Sequence, residues 1–147
     1  SSQIVFKVFE NRSIITQLVG MFQKEVAERI CAQPGTKKYG ILSVLIQAFY
    51  KTSYLFTVNE DVFDPPPKVK SGVIRFERNE IDHLNCDETL FVKVVKSTFN
   101  QRRKMVRNSI KGLCKDHKLS HQLMTKRPEQ LSVNDFIQLT NLLESKI

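Results

Sequence analysis

The chain has 147 residues, 41% apolar and 26% charged, a balance typical of a globular fold and not of a disordered one. That length suits one ordinary domain, or part of one with a small appendage. No apolar run approaches the ~20 residues needed to cross a bilayer, so no membrane segment is expected. The net charge is +8, and its placement matters more than its size. Between Lys93 and Arg127 stand eleven Lys or Arg and a single acid, Asp116, whereas residues 1–80 carry only +3 from eleven basic and eight acidic side chains. Such a block concentrates positive potential and favours a polyanionic partner, nucleic acid before others. Cys31, Cys86 and Cys114 are an odd number without a close pairing pattern, so free thiols in a reducing, cytoplasmic setting are expected. The chain begins Ser-Ser-Gln, so the lack of a leader carries no weight.

Taken in chain order, Ser1 or Ser2 can cap a short helix whose apolar face is Ile4, Val5, Val8 and Phe9. Gln17 to Phe22 is compact and apolar and reads as a buried strand. Lys24 to Cys31 turns helical, with Val26, Ala27 and Ile30 on one face, and Pro34-Gly35 ends it. A further helix is expected from Ile41 to about Phe49, its apolar side being Leu42, Leu45, Ile46 and Phe49. Strands follow at Ser53 to Val58 and Val69 to Phe76. Between them Asp64-Pro65-Pro66-Pro67 lacks amide donors at the prolines and predicts a stiff, extended connection. This order is that of the second half of an α/β sheet.

From Glu80 to Asp87 the character changes and the remainder reads as helical. Asp87 caps a helix with Leu90, Phe91, Val94, Val95 and Phe99 on its face. A second helix is expected from about Gln101 to Lys115. It would carry Val106, Ile110, Leu113 and Cys114 on one arc and Arg103, Arg107, Lys111 and Lys115, four residues apart, on the next. The last helix begins at Ser132, has Asp135 three residues on, and buries Val133, Phe136, Ile137 and Leu143. Cys114, His117 and His121 have a spacing that zinc could use, but a structural site takes four protein ligands and no further Cys or His stands close to them in sequence, His83 being well upstream, so no metal is expected. The first half also lacks a Gly-rich turn between strand and helix of the kind that cradles a nucleotide.

Three strings carry a family likeness: MFQKEVAERI (Met21 to Ile30), VFDPPPKVKSGVIRF (Val62 to Phe76) and TFNQRRKMVRNSI (Thr98 to Ile110). With YGILSV (Tyr39 to Val44) they resemble, over nearly the whole chain, the bacterial small-subunit rRNA adenine dimethyltransferases of the kasugamycin-resistance family. The resemblance implies a fold class of α/β type, in which residues 1–80 form the C-terminal half of a Rossmann-like methyltransferase sheet and residues 81–147 a small all-α domain. It implies an S-adenosylmethionine-dependent enzyme that dimethylates two adjacent adenosines in a hairpin loop near the 3′ end of small-subunit rRNA, with the small ribosomal subunit as partner. The family's Gly-rich cofactor loop, acidic ribose-binding residue and catalytic loop would lie upstream of Ser1. No cofactor-binding or catalytic residue is therefore assigned, and this chain alone is expected to bind no S-adenosylmethionine and to be inactive. The resemblance further implies that Phe63, just before the proline loop, forms a wall of the target-base pocket, braced by Pro65, Pro66 and Pro67. Arg102, Arg103, Lys104, Arg107 and Lys111 are the expected RNA contacts, since phosphate contacts add through counterion release. Two other readings are weighed: a non-catalytic nucleic-acid-binding module on the same scaffold, and a large-subunit rRNA adenine methyltransferase, whose proline loop typically carries basic residues. Half a sheet leaves an open edge, from which self-association is expected.

Overall fold

The computed structural model describes residues 2–113 and 120–145. Helix α1 (Ser2–Glu10) buries Val5, Val8 and Phe9, while Ile4, expected on that face, is turned outward at 57% exposure. Strand β1 (Gln17–Gln23) passes without a loop into α2 (Lys24–Cys31), as the switch from β-formers to a helical period requires. A turn through Gly35, whose φ of 88° suits glycine, leads to α3 (Ile41–Gln47). Strand β2 (Tyr50–Val58), a 3-10 turn (Glu60–Val62) and β3 (Ser71–Arg78) complete the first half.

The three strands form one sheet in the order β1-β3-β2, and both pairings are antiparallel. The last strand therefore sits in the middle, with Gly20 and Tyr54 opposite Ile74 on its two sides. A bulge between Tyr54 and Phe56 shifts the register of β2. Helix α2 covers one face through Ala27 and Ile30, and beneath it Phe22 stacks on Phe76 at 6.4 Å, with Tyr50 edge-on at 5.9 Å. Gly72 makes this closure possible. A Cβ there would fall 2.8 Å from the Ala27 Cβ and 2.8 Å from the Tyr54 hydroxyl, too close for either to stay in place.

Strand β1 is not the buried strand that its composition suggests. Only Phe22 is buried, whereas Val19 and Met21 are 56% and 50% exposed. The reason is its position: it is an edge strand, packed by α2 on one face, with nothing among the described residues on the other. Strand β3 also starts at Ser71 and leaves Val69 exposed, because the pairing with Gln23 and Val58 begins there.

The second half opens with α4 (Glu88–Asn100), capped by Asp87, whose carboxylate accepts from the Leu90 amide at 3.0 Å. The long helix expected from Gln101 to Lys115 does not form. Gln101 leaves the helical region (φ −124°, ψ 51°), Met105 is extended, and only α5 (Val106–Ser109) is α-helical among the described residues of that stretch. Tertiary bonding overrides the helical pattern here. The Val106 amide donates to the Lys126 carbonyl at 2.8 Å rather than back along a helix, and this pulls the buried Val106 side chain inward. Cys114, Lys115, Asp116 and His117 lie outside the described residues.

Helix α6 (Val133–Glu144) carries the expected capping box: the Ser132 hydroxyl accepts from the Asp135 amide at 3.1 Å, and the Asp135 carboxylate accepts from the Ser132 amide at 3.0 Å. It buries Phe136, Leu139, Thr140 and Leu143, with Val133 and Ile137 half-buried at the margin. The core is one continuous cluster from Val5 to Leu143. Each large side chain in it contributes about 1.5–3 kcal/mol by leaving water, so the helices after residue 80 are held firmly to the α2–α3 layer. Polar ties reinforce the join: the Gly35 amide donates to the Glu129 carbonyl at 2.7 Å, and Arg12 pairs with Glu88 at 3.0 Å.

Candidate nucleic-acid interface

Phe63 follows the 3-10 turn directly, with its amide donating to the Glu60 carbonyl at 3.3 Å and its backbone extended (φ −107°, ψ 151°). The side chain is half-buried. The Asp64-Pro65 peptide is cis, and Pro65, Pro66, Pro67 and Lys68 are exposed. A turn precedes this connection: Val62 and Phe63 fold back on Asn59 and Glu60 before Asp64 begins it. Its far end is pinned where the Lys24 amide donates to the Lys70 carbonyl at 2.9 Å, which satisfies the first free donor of α2.

The basic residues occupy different local structures. Arg103 and Lys104 lie in the turn after α4, Arg107 in α5, and Lys111 in the turn beyond it. Arg103, Arg107 and Lys111 do not form the single helical arc expected of them, and Lys115, the fourth member of that arc, lies outside the described residues. Arg103, Lys104, Arg107 and Lys111 are all exposed, and none makes an ion pair among the described residues. Arg102 differs. It is half-buried, donates from Nε to Glu129 at 2.9 Å and from Nη2 to the Lys37 carbonyl at 2.7 Å, and lies 5.7 Å from the Phe99 ring centre. Among the described residues, no hydrogen bond or ion pair joins this basic segment to the proline loop carrying Phe63.

Sequence reading missed Arg29, Lys37 and Lys38, which the fold brings to the Arg102 side of the molecule, around a cavity of about 290 Å³. They are scattered over an almost neutral half of the chain, and only the Lys-Lys pair before Tyr39 hinted at them.

The described residues do not fit S-adenosylmethionine. A nucleotide cradle needs glycines between the end of a strand and the start of a helix. Here β1 meets α2 at Gln23-Lys24, and Gly20 and Gly72 lie within strands. Nor is any group of three His, Cys, Asp or Glu placed to hold a metal among the described residues. His121 is occupied otherwise: its Nδ1 accepts from the Leu123 amide at 3.1 Å. Burial pushes the Cys31 thiol up, against a hydrogen bond with Thr52. Burial also raises Cys86, helped by Glu88, Glu144 and Asp87, to about 11, so neither thiol has the lowered pKa of a reactive cysteine.

The fold is that of Rossmann-like rRNA methyltransferases. A dimethyladenosine transferase from Plasmodium falciparum superposes with a TM-score of 0.82 over 99% of this chain and 63% of that one, at 24% identity. A 23S rRNA methyltransferase superposes with a TM-score of 0.58 over 95% of this chain and 60% of that one, at 19% identity. At the level of sequence the chain belongs to the ribosomal RNA adenine dimethylase family, whose pattern matches residues 1–145. It is 64% identical over 149 aligned positions to the ribosomal RNA small subunit methyltransferase A of Bacteroides thetaiotaomicron, covering 100% of this chain and 56% of that protein. It is 60% identical to the protein of the same name from Flavobacterium johnsoniae, covering 99% of this chain and 56% of that one. The chain spans about half the length of these relatives.

Proposed function

We propose that the chain is the substrate-side part of an S-adenosylmethionine-dependent rRNA adenine dimethyltransferase, which dimethylates two adjacent adenosines in a hairpin loop near the 3′ end of small-subunit rRNA in the cytoplasm. The observation that carries this is the exposed set Arg103, Lys104, Arg107 and Lys111, none of them ion-paired among the described residues, on a chain of this family. In this reading Phe63 forms one wall of the target-base pocket, and the Pro65–Pro67 run holds it in place. Arg103, Lys104, Arg107 and Lys111 contact phosphates, with Arg102 fixing the turn that presents them. Residues 1–80 belong to the methyltransferase sheet and residues 81–147 to the rRNA-holding domain. Cofactor and catalytic groups come from the part of the relatives that this chain does not span, so the chain alone transfers no methyl groups.

The test is binding of a labelled stem-loop RNA across a series of salt concentrations. Neutralising Arg103, Arg107 and Lys111 together should flatten the plot of log affinity against log salt by about two to three units, near one per lost phosphate contact. An unchanged slope reduces the basic segment to a solvated surface.

A further inference from the structure

The cavity of about 290 Å³ beside Arg102 is walled by Arg29 from α2, by Lys37, Lys38 and Gly40 from the turn before α3, by Ile41 and Leu42 of α3, and by Phe99 at the end of α4. We propose that this cleft is a second RNA contact, a seat for one backbone phosphate with its sugar; the proposal rests on the reading of the chain as RNA-binding. The two halves of the chain build it together, since Arg102 and Phe99 lie after residue 80 and the remaining lining residues before it.

Its chemistry follows from how each cation is held. The Arg102 guanidinium is fixed by Glu129 on Nε and by the Lys37 carbonyl on Nη2, and Nη1 makes no hydrogen bond among the described residues. That nitrogen lies 3.9 Å from where a Cβ on Gly40 would stand, on the lining of the cleft. A cation held in this way loses little side-chain freedom when an anion arrives, which favours binding. Lys37 is exposed and makes no ion pair among the described residues. Arg29 pairs with Glu25 and Lys38 with Glu28, with both cations about half exposed. Ion pairs that water reaches hold their partners weakly, so either cation can exchange its carboxylate for a phosphate at small cost. The volume of about 290 Å³ has room for a phosphate with its ribose. The Phe99 ring is engaged by Arg102, by Tyr39 at 5.9 Å and by Phe136 at 5.7 Å, so the cleft reads backbone and not base.

The experiment is fluorescence anisotropy with the full chain and a fluorescein-labelled stem-loop RNA bearing two adjacent adenosines in its loop, over a range of potassium chloride. Lys37→Gln with Lys38→Gln should weaken binding and lower the salt slope by about one to two units. Lys37→Arg with Lys38→Arg should keep the slope, and thermal melting should show all variants folded. If the Gln pair leaves the slope unchanged while the Arg103, Arg107 and Lys111 triple flattens it, the cleft proposal is overturned and the RNA-binding reading stands. If the unaltered chain binds no RNA, both are overturned.

Discussion

Phe63, Gly72 and Cys86 each have a role in the molecule that one substitution or reaction tests directly. Phe63 is proposed to offer an aromatic face to an extruded adenine, and such stacking contributes about 1–3 kcal/mol per base. Phe63→Ala in the intact parent should therefore lower methyl transfer about 5- to 150-fold and leave the salt slope of RNA binding unchanged, because stacking carries no charge. Gly72 is set by packing: a methyl group there meets Ala27 and the Tyr54 hydroxyl at 2.8 Å. Gly72→Ala should lower stability by about 1–3 kcal/mol in a denaturant titration, and a neutral result would show that α2 can retreat from the sheet. Cys86, raised to about 11 by burial and three acidic neighbours, should be alkylated slowly near neutral pH and faster as pH climbs towards that value. Tyr39, Tyr50 and Cys31 are raised too, chiefly by burial. All four groups hold their protons more tightly folded than unfolded. Their contribution is therefore complete below about pH 9 and is lost as pH rises through the folded values, so thermal melts should fall on the alkaline side.

Among the elements, those set by local signals were legible and those set by distant bonds were not. Helix α2 begins and ends where the sequence reading placed it, because the hydrophobic period changes at Gln23-Lys24 and Pro34-Gly35 blocks extension. The start of α6 was legible for the same reason: Ser132 and Asp135 satisfy each other's amides whatever the rest of the fold does. Ser132→Ala should cost about 1 kcal/mol of stability, and a change within error would mean that packing of Phe136 and Leu139 holds that end unaided. The stretch after α4 could not be read. Its apolar residues repeat at helical spacing, but the Val106 amide is taken by Lys126 and the Arg102 side chain by Glu129 and Lys37, partners 20 or more residues distant in the chain. The basic set therefore appeared as one arc in sequence and is spread over two turns and a short helix in space. Strand β1 failed differently: its composition records that it is apolar, but not that only one face is covered.

Viewed whole, the described residues build a helix-covered, three-stranded antiparallel sheet whose central strand comes last of the three in sequence, an order that no strand's own residues encode. The outer edge of β1 has no partner strand among the described residues, and Val19, Met21 and Phe56 stay 50–56% exposed. Open, apolar edges tend to pair, so sedimentation should show the mass of the chain rising with concentration; a single monomeric mass throughout would contradict this. The family, by contrast, was legible almost in full, because MFQKEVAERI, the proline loop and TFNQRRK are short, ordered strings that survive without the rest of the relatives' length. The central claim is that this chain serves adenine dimethylation of small-subunit rRNA. Its most direct test is mass spectrometry of ribosomal RNA after incubating small and large subunits, each lacking the modification, with the intact parent and S-adenosylmethionine. The expected result is two adjacent dimethyladenosines near the 3′ end of the small-subunit RNA. Methylation confined to the large subunit, or none on either, would contradict it.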